Sequence, residues 1–136
     1  MKQTRHSFLK SQGYTSIKLN KTDTNHYQIE AKINDIEGLF ILDTGASNTC
    51  TDLQINKFHL ISIDSEVKAS SATDLMSETK VSKKNKLQIG KWISKSSSIV
   101  LFDMTHINKA LSERDIEVVD GIIGADILKK GKAIID

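Results

Sequence analysis

Residues Tyr27 to Leu42 constrain this chain more than any other stretch. Tyr27, Ile29, Ala31 and Ile33 alternate with Gln28, Glu30 and Lys32, the two-residue period of a strand with one buried face. Asn34-Asp35 follows, a pair whose short polar side chains favour a turn. The chain then returns through Ile36 to Leu42. The pattern predicts a β-hairpin whose second strand delivers a carboxylate, Asp43, at its end.

The rest of the chain also reads as mostly β. Tyr14 to Leu19 is expected to form a first strand. Val67 to Ser71 and Met76 to Ser82 suit a second hairpin around Ala72-Thr73-Asp74-Leu75. Leu87-Gln88-Ile89 and Trp92-Ile93-Ser94 flank Gly90-Lys91, which fits a tight turn. Ser98 to Phe102 reads as a strand, apolar from Ile99 onward. Asp103 is placed to cap a short helix with Met104, Ile107 and Leu111 on one face. Ala125 to Lys130 reads as a short helix closed by Gly131. Lys132 to Asp136 looks like a strand that stops abruptly, which suggests a missing terminal segment.

With 136 residues, one domain with a single modest core is expected. We divide the chain into an N-terminal extension, 1–13, and a folded domain, 14–136. Apolar residues make up 38% and charged residues 26%, as in folded globular domains. The formal net charge is only +2, and the densest basic cluster, Lys83-Lys84-Asn85-Lys86, fits a solvated edge better than a nucleic-acid surface. Met1 to Asn20 carries no apolar signal-peptide core, and no stretch reads as a membrane span. Cys50 is the only cysteine, so no internal disulfide can form. These features point to a cytoplasmic protein.

The chemistry centres on Leu39-Phe40-Ile41-Leu42-Asp43-Thr44-Gly45-Ala46-Ser47. An apolar strand ends in one carboxylate, a hydroxyl, a glycine and two small residues. Thr44 can hydrogen-bond locally, and Gly45 lets the backbone turn tightly near another group. An isolated Asp-Thr-Gly says little, because Asp caps turns in many loops. Here a companion segment follows, Val118-Val119-Asp120-Gly121-Ile122-Ile123-Gly124-Ala125-Asp126. Its two bulky residues would pack beside the Asp43 loop, and Gly124 would leave room for that loop.

The two segments together resemble the retropepsin-like aspartic proteases, in the form of cellular and bacterial single-domain members. That family carries Asp-Thr/Ser-Gly-Ala/Ser after an apolar strand, matched by Asp43 to Ser47. It also carries two hydrophobic residues and a glycine shortly before a C-terminal helix, matched by Ile122-Ile123-Gly124. The likeness runs from about Tyr14 to the end. It implies a mainly β fold: a closed acid-protease β-barrel with one or two short helices.

An aspartic protease needs two carboxylates sharing one proton, since two close like charges cannot both ionise. This chain has one Asp-Thr-Gly, so the resemblance implies a homodimer with an Asp43 from each copy at the two-fold axis. Thr44 would bond across that axis, and Gly45 would position the substrate backbone. Ala46, Ser47, Ser71, Ala72, Thr73, Asp74, Ile122 and Ile123 would contact a peptide or protein substrate, with Gly124 as structural support. Water is the nucleophile, so no cofactor or metal is implied. The candidate flap, Ala69 to Met76, lacks the glycines usual in retroviral members, and Ala125 stands where those often carry Arg.

Other residues have plainer readings. His6, His26, His59 and His106 lack ligand-like spacing and are expected in surface or partly buried structural roles. Cys50 should be a small buried hydrophobe, Trp92 a packing residue and Asp120 structural. Asp126 could cap the final helix or brace the Asp43 loop, and we favour the cap. The leading function is peptide-bond hydrolysis. The alternatives are a catalytically silent dimerisation or peptide-binding module, a protease domain that works only within a longer chain, and a ligand-binding protein of other ancestry.

Overall fold

The computed structural model describes residues 5–22, 26–64 and 79–135. The strands are β1 (Asn20–Lys21), β2 (Tyr27–Ile33), β3 (Ile36–Leu42), β4 (Cys50–Asp52), β5 (Ile63–Asp64), β6 (Thr79–Ile89), β7 (Trp92–Phe102) and β8 (Gly121–Ile123). The helices are α1 (Arg5–Ser11), α2 (Thr105–Glu113) and α3 (Ala125–Lys130). The two helices expected from sequence are α2 and α3; α1 is an addition within the N-terminal extension. The expected hairpin around Ala72 and the candidate flap, with Ser71, Ala72, Thr73 and Asp74, lie outside the described residues, apart from Thr79 to Ser82 in β6.

The expected first hairpin forms with Ile33 opposite Ile36. Its two-residue loop has φ of 51° at Asn34 and 69° at Asp35, the doubly left-handed geometry whose twist suits adjoining strands. The Asn34 amide nitrogen donates to Asn85 Oδ1 at 3.0 Å, and Lys86 N–H donates to Asn34 Oδ1 at 3.0 Å. The hairpin tip is thereby tied to β6. The β6–β7 hairpin turns at Gly90-Lys91 as expected, with Ile89 opposite Trp92 and Gly90 at φ 57°.

The sheet runs β1-β2-β3-β8-β4-β7-β6-β5, and β2 also pairs with β6. That extra pairing closes β2, β3, β8, β4, β7 and β6 into a six-stranded barrel. Most pairs are antiparallel; β3–β8 and β4–β7 are parallel. The expected strand Tyr14–Leu19 is not formed. Only Asn20 and Lys21 pair with β2, at Gln28 and Tyr27. Further along the same β2 edge, Lys32 and Ile33 are taken by β6; in the β1 register these are the positions that Ser16 and Thr15 would need, so barrel closure blocks the first half of the expected strand. Ile17 and Leu19 still pack on the core. Among the described residues the expected terminal strand does not form: Lys132 sits in a turn with φ 51°, and its N–H donates to Lys129 O at 3.1 Å.

Two apolar clusters hold the fold. Ile29, Ala31, Ile33, Phe40, Leu87, Ile99, Leu101 and Ile123 belong to the first. Ile41, Val100, Phe102 and Ile122 join Met104, Leu111 and Val119 in the second, together with part of α2. Successive residues of β3, β7 and β8 therefore enter opposite clusters. This explains why Leu39 to Leu42 and Ile99 to Phe102 are continuously apolar rather than alternating: both faces are buried. Phe40 is fully buried and stacks on Phe58 with ring centroids 5.8 Å apart. Phe40→Ala should cost about 3–5 kcal/mol and lower the melting temperature by roughly 10 °C or more, as calorimetry would read.

Helix α2 starts one residue later than expected. Met104 occupies the cap position, while the Asp103 carboxylate accepts the Thr105 N–H at 2.9 Å and the Thr105 hydroxyl. Met104 is drawn inward because its side chain fills the second cluster. Helix α3 ends at Gly131 as expected, but at φ −86°. Glycine there makes room: a Cβ would stand 3.1 Å from the half-buried Trp92 ring, which packs on the first cluster.

Candidate active site

The β3–β8 ladder carries Asp43 into place. Ile41 and Leu42 lie opposite Ile122 and Ile123, and Asp43 N–H continues the ladder by donating to Ile123 O at 3.0 Å. The chain then turns sharply. Ala46 N–H donates to Asp43 O at 3.1 Å, and Gly45 N–H donates to Asp43 Oδ1 at 2.9 Å. Asp43 is partly buried, Thr44, Gly45 and Ser47 are exposed, and Ala46 is buried. One catalytic candidate is thus held by its own loop, with its carboxylate at the surface end of a core strand.

Asp43 and Thr44 open onto a cleft of about 410 Å³, lined also by His26, Tyr27, Leu42 and Ile135. Sequence reasoning did not place His26, Tyr27 or Ile135 at the site. Two of them were within reach of it. Tyr27 pairs with Leu42, so one further step along the hairpin register brings His26 beside Asp43. Nothing in the sequence marks Ile135, which arrives through the turn after α3.

Beneath the loop lies the companion segment. Ile122 and Ile123, expected in the substrate-facing set, are buried in the two apolar clusters and support the loop from below. Gly124 lies close against the Asp43 loop. A Cβ there would stand 2.7 Å from Ala46 O and 2.9 Å from the Asn48 carbonyl. Ala125 N–H donates to Ala46 O at 2.7 Å.

Asp126 is a correction to the favoured cap. The α3 cap position is Gly124, with no side-chain cap bond. Asp126 Oδ1 instead accepts the Thr49 N–H at 2.9 Å and the Thr49 hydroxyl at 2.8 Å. Thr49 is completely buried, and its hydroxyl oxygen accepts the Gly124 N–H at 3.0 Å. Asp120 is structural, as expected: its Oδ2 accepts Leu39 N–H at 2.9 Å and Lys57 Nζ at 3.0 Å.

Cys50 is buried beside this network, and burial pushes its thiol up to about 12, with the Asp126 and Asp43 charges adding to the rise. The neutral thiol stabilises the fold fully below about 8.5, where an exposed thiol ionises, and that contribution is lost as pH climbs toward about 12. Alkylation of the folded protein at pH 8 should therefore run about 10³-fold slower than in denaturant, because the thiolate is the nucleophile. Mass spectrometry over a time course reads both rates.

A family model described as aspartyl protease matches residues 29–127. The chain belongs to the aspartyl protease family. The matched span runs from β2 through the Asp43 loop and the companion segment into α3. No curated protein sequence matches. Among solved structures, the EIAV protease complexed with the inhibitor HBY-793 is similar at 17% identity and a TM-score of 0.52, over 86% of this chain and 98% of that one. A retropepsin-like aspartic protease from Rickettsia conorii is similar at 16% identity and a TM-score of 0.53, over 86% and 84%. The retroviral protease-like domain of Ddi1 from Leishmania major is similar at 15% identity and a TM-score of 0.51, over 80% and 79%. These likenesses show a retropepsin-like fold, and the closed barrel with short helices agrees with it. Among the described residues, no helix is long and apolar enough to cross a membrane.

Proposed function

We propose that this aspartyl protease family member is an endopeptidase that works as a homodimer. Each copy supplies one Asp43, and the pair shares a proton. One carboxylate takes a proton from water as it attacks the scissile carbonyl, while the protonated partner donates to that carbonyl oxygen. Thr44 bonds across the two-fold axis, and Gly45 positions the substrate backbone. Ser47 and the segment with Ser71, Ala72, Thr73 and Asp74 contact the peptide, which lies extended in the cleft as an added strand; Ala46, buried in the second apolar cluster, supports the loop instead.

The observation that carries this reading is the single Asp43, held at the end of β3 by Ile123 O and by its own loop, and open to a cleft. A lone carboxylate so placed needs a second from another copy. The test is digestion of a mixed library of unstructured peptides from acidic to neutral pH, read by mass spectrometry, with sedimentation of the same sample. Cuts lost in the Asp43→Asn variant support the proposal. A dimeric sample that makes no cuts favours a silent peptide-binding module.

A further inference from the structure

Thr49 and Asp126 are remote in sequence, and neither lines the cleft with Asp43, yet they tie the far end of the Asp43 loop to α3. We propose that Asp126, acting through Thr49, is a positioning residue for Asp43; the catalytic consequence rests on the endopeptidase reading above.

An ionised carboxylate can only accept. Asp126 Oδ1 takes both Thr49 donors, so the Thr49 hydroxyl proton is committed to it. Only the oxygen lone pairs then remain, and one of them accepts Gly124 N–H. The carboxylate thus fixes the polarity of a largely buried chain running Gly124, Thr49, Asp126. The same segment holds the loop at two earlier points, through Asp43 N–H to Ile123 O and Ala125 N–H to Ala46 O. Three successive anchors leave the loop between Asp43 and Thr49 little freedom to shift as a unit. The third depends on side chains, so substitution can remove it alone. No described buried side-chain polar atom lacks a partner, so loss of one member leaves another unsatisfied.

The experiment compares Thr49→Val, which keeps volume but removes the hydroxyl, with Thr49→Ser, which keeps the hydroxyl. For each, kcat, KM, sedimentation and amide exchange are measured beside the parent. We expect T49V to lower kcat at least ten-fold with KM within two-fold and the oligomeric state unchanged. We expect its Gly45, Ala46 and Ala125 amides to exchange at least ten-fold faster, while β6 and β7 amides keep their protection. T49S should recover most of both losses. Asp126→Asn, whose Oδ1 can still accept both Thr49 bonds, should do better than Asp126→Ala. Unchanged kcat in T49V, or a uniform rise in exchange across the barrel, overturns the proposal. A parent that cuts nothing counts against the endopeptidase reading, and loop exchange alone then decides whether the anchor holds.

Discussion

Replacing Asp43 with asparagine should abolish peptide cleavage, lowering kcat/KM by at least about 10³-fold, while the protein still folds. General acid–base catalysis by a positioned side chain is worth about 10²–10⁴-fold, and in a symmetric dimer the substitution removes both members of the pair. The fold should survive because the local role of Asp43 is that of an acceptor: its Oδ1 takes the Gly45 N–H, and an amide oxygen can do the same. Unchanged circular dichroism and melting temperature, together with lost cleavage, are the expected result. Retained cleavage would place the chemistry elsewhere.

Gly124→Ala should damage both stability and activity. The added Cβ would meet Ala46 O at 2.7 Å and the Asn48 carbonyl at 2.9 Å. All of these atoms are backbone, so relief requires the Asp43 loop or β8 to move. Overpacking of this kind costs about 1–3 kcal/mol. A displacement near 1 Å at a catalytic group can cost about 10²-fold in rate. Gly131→Ala is the control. Its Cβ would press at 3.1 Å on the Trp92 side chain, and its nearest contacts include no atom of the Asp43 loop, so activity should stay within about two-fold. Thermal melts and peptide assays on both variants check the contrast. Equal activity losses would mean that the Gly124 contact has no special hold on the loop.

Much of the fold was legible because its strands obey local rules. The Tyr27 to Leu42 hairpin combines a two-residue period with turn residues that tolerate positive φ at Asn34 and Asp35. Once that register is counted, His26 and Tyr27 fall beside Asp43. What local rules could not show was competition for partners. Tyr14 to Leu19 has a plausible strand pattern, but β6 occupies Lys32 and Ile33, the β2 positions that its first half would have needed. Asp103 has the chemistry of a cap, but the second apolar cluster draws Met104 inward and moves the cap position to it. In the run Lys83-Lys84-Asn85-Lys86, which reads as wholly solvated, Asn85 is buried and donates to Ser82 O at 3.1 Å. A register irregularity between Ser82 and Asn85 turns it inward.

The chemistry on offer is written in the linear chain: one carboxylate after an apolar strand, a glycine where the chain must turn, and a second apolar segment ending in Gly124. Periodicity and turn chemistry act over a few residues, so they survive in a linear reading. The tertiary structure alone decided which groups meet. Thr49 and Asp126 are 77 positions apart, and neither announces the other. Only parallel pairing of β3 with β8 brings α3 under the Asp43 loop and turns an acid expected to cap a helix into the acceptor for a buried threonine.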